Sequence, residues 1–252
     1  WSGWMNGWDI ANGIHSSSSR LVEQWWIANY EAIKRCNLLI ANVGRTGISD
    51  ATREQYIAEA KVIRALMYLN LTMTYHDVPF ITAPQTMNEA NTPKTDRATI
   101  VKAIMADLKA AATVLPVDAP ETNRITRGAA LSILGRTALY NGMWDDAIDA
   151  YHQVIALNKY SLFNDYSQLF TKDNENCPEI IMSVSYQGPG KNEGCGLGGH
   201  WGSPLEAMNG TIDLADAFYM TNGKPCQDKH VIDFYPDGSP NYWDDVNTQR
   251  YE

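Results

Sequence analysis

Two stretches hold the side chains best suited to chemistry. The first is "WSGWMNGWD", with Trp4, Asn6, Trp8 and Asp9. The second is "GGHWGSPLEAMNG", with His200, Trp201 and Asn209. Both mix indole rings with amides in sequence too rich in Gly and Asn to carry a helical period. An indole offers a broad apolar face with one polar handle. Amides and carboxylates supply directed hydrogen bonds. Together these groups suit a ligand with apolar C–H faces and hydroxyl edges, such as a sugar. Trp4, Asn6, Trp8, Trp201 and Asn209 are therefore the candidate ligand contacts, with Tyr186 and Trp243 as further ones. The competing reading is that the same indoles plug loops onto a core. Trp25, Trp26 and Trp144 fall in helical patterns and are expected inside.

Other chemistries find less support. "GCGLGG" (Gly194 to Gly199) fits G-x-G-x-x-G, but a dinucleotide site needs a strand before it and a helix after it. Here a Pro/Gly/Asn loop precedes and "HWGSP" follows. There is no G-K-[ST] and no G-x-S-x-G. His15, His76, His152, His200 and His230 are dispersed without H-E-x-x-H spacing, so no metal is expected. "DNENCPE" (Asp173 to Glu179) lacks the loop glycine of an EF-hand and reads as a solvated acidic turn. No cofactor motif remains. A glycosidase needs two carboxylates at a set separation. With 29 acidic residues some pair arises by chance, and nothing singles one out.

Bulk composition narrows the partners. The 252 residues are 44% hydrophobic, enough for a substantial core. A formal net charge of -9 without a Lys/Arg cluster disfavours nucleic acid and an anionic membrane surface alike. Neutral ligands stay open. The longest apolar run is far shorter than a membrane span. The chain starts at Trp1 without a leader or a lipidation cysteine, and is read as a piece of a longer protein. Cys36, Cys177, Cys195 and Cys226 lack zinc or redox spacing. Cys36 is expected buried in a helix. Cys195 and Cys226 lie in loop-like sequence, where a disulfide is open.

The elements that must position these groups are helices. From residue 20 to 43, Val22, Trp26, Tyr30, Ile33, Asn37 and Ile40 recur at three- and four-residue steps on one face. Asn37 then points inward, and a buried amide must be paired, so it should fix neighbouring backbone. Gly44 and Gly47 end that helix. A second helix runs from about Thr52 to Tyr75, with a stripe of Tyr56, Ala60, Ile63, Met67, Leu71 and Tyr75. Ile57, Leu66 and Leu69 widen its apolar surround. Glu59 and Arg64 are charged within it and should pair with neighbouring helices. Pro79 and Pro84 impose an extended connection. A third helix starts at an Asp96 cap, with Ile100, Ile104, Leu108, Ala111 and Leu115 inward. Two more span about Thr126 to Tyr140 and Trp144 to Leu157. Glu179 to Tyr186 reads as a strand, and Thr211 to Tyr219 as a short helix.

Residues 131 to 157 carry a repeat signal. Leu134 and Gly135 are followed by Gly142, Trp144, Ala147 and Tyr151. The tetratricopeptide pattern puts small residues where two antiparallel helices touch and bulky ones in the groove between them. Gly135 and Ala147 fit the close contacts, and Trp144 and Tyr151 the bulky positions. The helices at 20–43 and 52–75 form a second pair without that motif. The fold class is mainly α: a tetratricopeptide-like helical-repeat scaffold with a loop-rich, irregular C-terminal region. The divisions are 1–19 (aromatic loop segment), 20–160 (scaffold) and 161–252 (loop-rich).

Seven segments in order resemble the SusD/RagB family. They are "YEAIKRCNLLIANV", "YIAEAKVIRALMYLNLTMTYHDVPF", "DRATIVKAIMADLKAAATVLP", "RITRGAALSILGRTALYNGMWDDAIDAYHQVI", "YSLFNDYSQLF", "NCPEIIMSV" and "DAFYMTNGKP". The resemblance implies the N-terminal half of a cell-surface nutrient-binding lipoprotein of Bacteroidetes-type bacteria. Its implied partners are an oligosaccharide ligand and a SusC-like TonB-dependent transporter in a polysaccharide-utilisation system. It also implies the outer membrane, reached only through a lipid anchor absent from this chain, and binding without catalysis. The family's aromatic site lies outside the helical pattern, as do both Trp/Asn stretches. His76 stands where the family commonly has Gly, and a positive φ there would strain it. The alternative function is a tetratricopeptide-type adaptor gripping a protein partner through helix faces.

Overall fold

The computed structural model of the protein describes residues 8–89, 91–119, 121, 123–184, 233–234 and 240–241. The chain divides into two units, Gly3–Tyr186 and Trp1–Ser2 with Gln187–Glu252. In the second, β3 (Asp233–Phe234) pairs antiparallel with β4 (Pro240–Asn241), Asp233 opposite Asn241. The long helices all belong to the first unit, Gly3–Tyr186.

Its frame is five helices: α2 (Arg20–Asn42), α3 (Asp50–Tyr75), α4 (Arg97–Val114), α5 (Arg127–Tyr140) and α6 (Trp144–Ala156). Single turns at α1 (Trp8–Ala11) and α7 (Tyr166–Leu169) flank them. Capping chemistry sets the starts. Ser49, Asp96 and Thr126 each accept a hydrogen bond from the backbone N–H three residues on, so one orphan donor of the first turn is paired. α2 passes into a 3₁₀ turn at Val43–Arg45, which contains Gly44. α3 ends at His76, whose φ is 67°.

Consecutive helices pack in series, α2 on α3, α3 on α4, α4 on α5 and α5 on α6. Each helix mainly contacts its neighbours in sequence, as a stacked repeat requires. The core lies between them. Val62, Tyr68, Leu71, Ile100, Ile104, Leu108 and Leu115 are wholly buried. Each such aliphatic side chain contributes about 1.5–3 kcal/mol relative to exposure. β1 (Val78–Pro79) and β2 (Lys94–Thr95) pair antiparallel and bring the chain back from the end of α3 to the start of α4.

Gly135 in α5 sits against the Tyr151 ring of α6, where an added Cβ would come within 2.7 Å of the ring. Ala147 and Ala150 are buried at the same junction. Gly142 takes φ 70° in the turn joining the two helices, a left-handed conformation that glycine adopts without strain. The repeat signal thus corresponds to a real close-packed pair.

Several expectations are corrected. Trp144 is 62% exposed and Trp25 44% exposed, so neither is core, whereas Trp26 packs against it. Spacing tells which residues share a helix face, not whether another element covers that face. α6 is the last helix of the described stack, and its Trp144, Ile148 and Ile155 are uncovered among the described residues. Ile63 is likewise on an open side; Ala60 and Leu71 of the expected stripe are buried, and the buried surface of α3 extends beyond it through Ala58, Val62, Ala65, Leu69 and Thr72. Residues 179–184 form turns and bends, not a strand. The Ile180 N–H bonds back to Cys177 O, a local turn that takes the donor a ladder would need. The expected helix at Thr211 to Tyr219 lies outside the described residues.

Candidate functional site

The candidate contacts Trp4, Asn6, Tyr186, Trp201, Asn209 and Trp243 lie outside the described residues. Trp8 opens α1. Beside it, Asp9 accepts from the Ile10 N–H at 3.0 Å. The Ser19 hydroxyl holds its carboxyl below the usual carboxylate range and ties this segment to the start of α2. Cys36 and Cys177 are buried free thiols, and burial pushes the Cys36 thiol up. Cys195 and Cys226 lie outside the described residues.

The scaffold is braced by polar side chains. Asn37 is buried, donating to Ile81 O at 2.9 Å and accepting from Arg64 Nη1 at 2.8 Å. Arg64 also donates to Thr82 O at 3.1 Å and to Asp107 at 2.8 Å, and Lys61 closes on the other Asp107 oxygen at 3.0 Å. The Tyr68 hydroxyl donates to Ile81 O at 2.9 Å and accepts from Ile81 N–H at 2.7 Å. Burial pushes Tyr68 up to about 12. Tyr30 donates to Pro79 O at 2.8 Å. The extended connection after α3 therefore takes its hydrogen bonds from side chains of α2 and α3. That satisfies its backbone beyond the short β1–β2 ladder. Asn37 acts as expected of it, and Arg64 and Glu59 are both paired across elements.

Glu59 receives Arg124 through Nε at 3.0 Å and Nη2 at 2.8 Å, a two-point contact. The Arg124 guanidinium lies 4.9 Å from the Tyr56 ring centroid, and the Glu59 carboxylate raises its pKa further. Beside this pair, a cleft of about 440 Å³ opens between α2 and α3, lined by Ala32, Cys36, Leu39 and Ile63. On the other side of Arg124, a pocket of about 270 Å³ is built from the α4–α5 connection, Lys159–Tyr160 and residues 176–183. Sequence reasoning did not find this pocket. Its members come from three separated stretches, and only the left-handed Asn123 (φ 67°) and Asn158 (φ 50°) beside it hint at special geometry. Among the described residues, no group of three or more His, Cys, Asp or Glu converges as a metal would require. No described helix is long and apolar enough to cross a membrane.

The fold is a helical-repeat stack whose connection after α3 is tied down by inward polar side chains. Residues 1–139 match the SusD-like family described as "Starch-binding associating with outer membrane". The match covers more than half the chain, and the chain belongs to that family. A SusD-like protein of Formosa agariphila is 29% identical over 169 residues, 66% of this chain and 32% of the relative. A crystal structure of a SusD-like carbohydrate-binding protein from Bacteroides fragilis superposes with a TM-score of 0.78 at 25% identity, covering 89% of this chain and 45% of that one. A laminarin-binding SusD-like protein superposes with a TM-score of 0.62 at 27% identity, covering 69% and 38%. The chain thus spans about a third to a half of these relatives.

Proposed function

We propose that this chain works in cell-surface capture of an oligosaccharide, for delivery to a SusC-like TonB-dependent transporter, as a binding protein and not an enzyme. Family membership over residues 1–139 carries the reading. The carbohydrate-binding and laminarin-binding names of two structural relatives support it. The division of labour is physical. Helices α2 to α6 supply a rigid stack, and Trp4, Asn6, Trp8, Tyr186, Trp201 and Asn209 supply rings and amides for sugar faces and edges. In this reading a lipid anchor holds the complete protein on the outer membrane.

The test uses the complete protein in calorimetry and affinity gels against starch, laminarin and other neutral polysaccharides. Binding of at least one is expected, weakened about tenfold or more by Trp4→Ala or Trp201→Ala, on the order of 1.4 kcal/mol. A protein that retards on no polysaccharide of the panel overturns the reading. The adaptor alternative is favoured by one observation, the uncovered Trp144, Ile148 and Ile155 of α6. A partner captured by the wild type and lost on Trp144→Ala and Ile148→Ala, with polysaccharide retention absent, would establish it instead.

A further inference from the structure

The pocket beside Arg124 belongs to none of the predicted aromatic stretches, and its construction fits a ligand of one chemical class. Its wall at residues 176–183 is pinned from behind. Ser161 N–H donates to Pro178 O at 3.2 Å, Phe163 N–H donates to Glu179 Oε2 at 2.8 Å, and Cys177 is buried beneath. Its floor is fixed by Tyr160, whose hydroxyl lies 3.1 Å from Thr126 Oγ1. The Tyr160 ring occupies the space a Cβ on Gly128 would need, with ring atoms 2.5 and 2.7 Å from that position. The opposite wall carries Asn123 in the left-handed conformation, its Oδ1 accepting from Ser183 Oγ at 3.3 Å. Non-glycine residues held there collect at ligand clamps more often than elsewhere.

Charge decides the class of ligand. Arg124 is neutralised by Glu59 and Glu121, and Lys159 is paired with Asp118. The cations at the pocket are thus compensated, which removes the attraction for a phosphate or carboxylate. Arg124 faces two carboxylates, so the balance is one negative charge, carried toward solvent on Glu121, and an anion is disfavoured. The other groups offered to a ligand are neutral: the amides of Asn123 and Asn176, the Ser183 and Tyr160 hydroxyls, and the apolar surface of Met182. A volume of about 270 Å³ falls just below the ~300–1,000 Å³ usual for drug-sized ligands, the scale of a single ring.

We propose that this pocket is a second carbohydrate subsite, on the helical scaffold itself, taking one ring of a neutral saccharide. This rests on the glycan-binding reading and deepens it. The Asn123 and Asn176 amides and the Ser183 hydroxyl bond the hydroxyl edge, while Met182 covers a C–H face.

The experiment labels methionine methyl groups with ¹³C in the complete protein and follows Met182, assigned by Met182→Leu. The probes are maltoheptaose, laminarihexaose and oligogalacturonate, with calorimetry run in parallel. Met182 is 40% exposed, so its methyl is accessible to a bound ring. A saturable Met182 shift is expected with a neutral probe and none with oligogalacturonate. Asn176→Trp, a filling change at an exposed rim position, should weaken that response about tenfold or more. Trp4→Ala with Trp201→Ala should leave the Met182 response in place at higher probe concentration. Calorimetric binding with a silent Met182 overturns the pocket and leaves the glycan reading standing. A response to oligogalacturonate equal to that of the neutral probes overturns the neutral class. No heat and no shift with any probe overturns both.

Discussion

The two helix pairs of the scaffold are joined by different physics. α5 and α6 meet through absent side chains: Gly135 lets the Tyr151 ring approach, and Ala147 and Ala150 are buried alongside. α2 and α3 meet through polar ones. Asn37, Arg64 and Tyr68 reach across and bond the backbone of residues 81 and 82, and Asp107 of α4 anchors Arg64. The first junction is a shape constraint, local in sequence. The second is a hydrogen-bond constraint whose partners are tens of residues apart. The pair with the recognisable repeat motif is joined by the short Gly142 turn. The pair without the motif uses its connection as a strut.

The contrast can be broken at the polar junction first. Asp107→Ala leaves the Arg64 guanidinium, whose side chain is 8% exposed, without its carboxylate. Removing one member of a buried ion pair typically costs about 3 kcal/mol or more, measured here by urea denaturation. Arg64 keeps its bonds to Asn37 and Thr82, so a loss well under 1 kcal/mol would show that those neutral partners suffice. Tyr68→Phe comes next. It removes the acceptor of the Ile81 N–H, while the Ile81 C=O keeps the Asn37 amide, and a donor left without a partner costs about 1–3 kcal/mol. Amide exchange at Ile81 should rise in parallel.

At the steric junction, Gly135→Ala sets two effects against each other. Helix propensity favours Ala by about 1 kcal/mol, while overpacking a core contact costs about 1–3 kcal/mol. The Cβ would meet the Tyr151 ring at 2.7 Å, so we expect a net loss of about 1 kcal/mol in the denaturation midpoint. A stabilised variant would mean that Tyr151, which is only partly buried, swings out freely and the junction is not a shape constraint.

His76 ends α3 at φ 67° and ψ −98°, a region strained for a residue with a Cβ. His76→Gly should stabilise by up to about 1 kcal/mol, less what the His76–Asp77 contact at 2.8 Å contributes.

Acid should act unequally on the starts of α4 and α5. The Thr99 hydroxyl and N–H hold Asp96 below the usual carboxylate range, and the Arg97 N–H and His76 do the same for Asp77. A depressed folded pKa means stability present above the unfolded value and lost as pH falls through the folded one. The window therefore opens below about pH 4. α5 starts on Thr126, which does not titrate. Hydrogen exchange between pH 5 and 3, corrected for intrinsic rates, should loosen the start of α4 before the start of α5. Uniform loosening would remove the distinction.

Legibility followed the range of the interaction. All five long helices, the Asp96 cap and the small-residue contact at Gly135 depend on residues within a few turns of one another, and the spacing alone indicated them. Asn37 was readable as an inward amide because its face is apolar, and Glu59 and Arg64 as paired because a buried charge needs a partner. The strand expected at Glu179 failed because a short apolar run becomes a strand only when another edge accepts it. Trp144 and Trp25 were misplaced because helical period says nothing about coverage.

The sequence by itself determined where this chain is helical and which residues cap and face inward, which follow from local sterics, capping and a periodic apolar face; the family came from the ordered resemblance of whole segments. Tertiary structure alone decided which faces are covered, that Asp107 and Arg124 are the partners of Arg64 and Glu59, and that residues 123, 160, 176 and 183 share one pocket. Such groupings arise from the packing of distant segments, and nothing in their local sequence encodes the meeting.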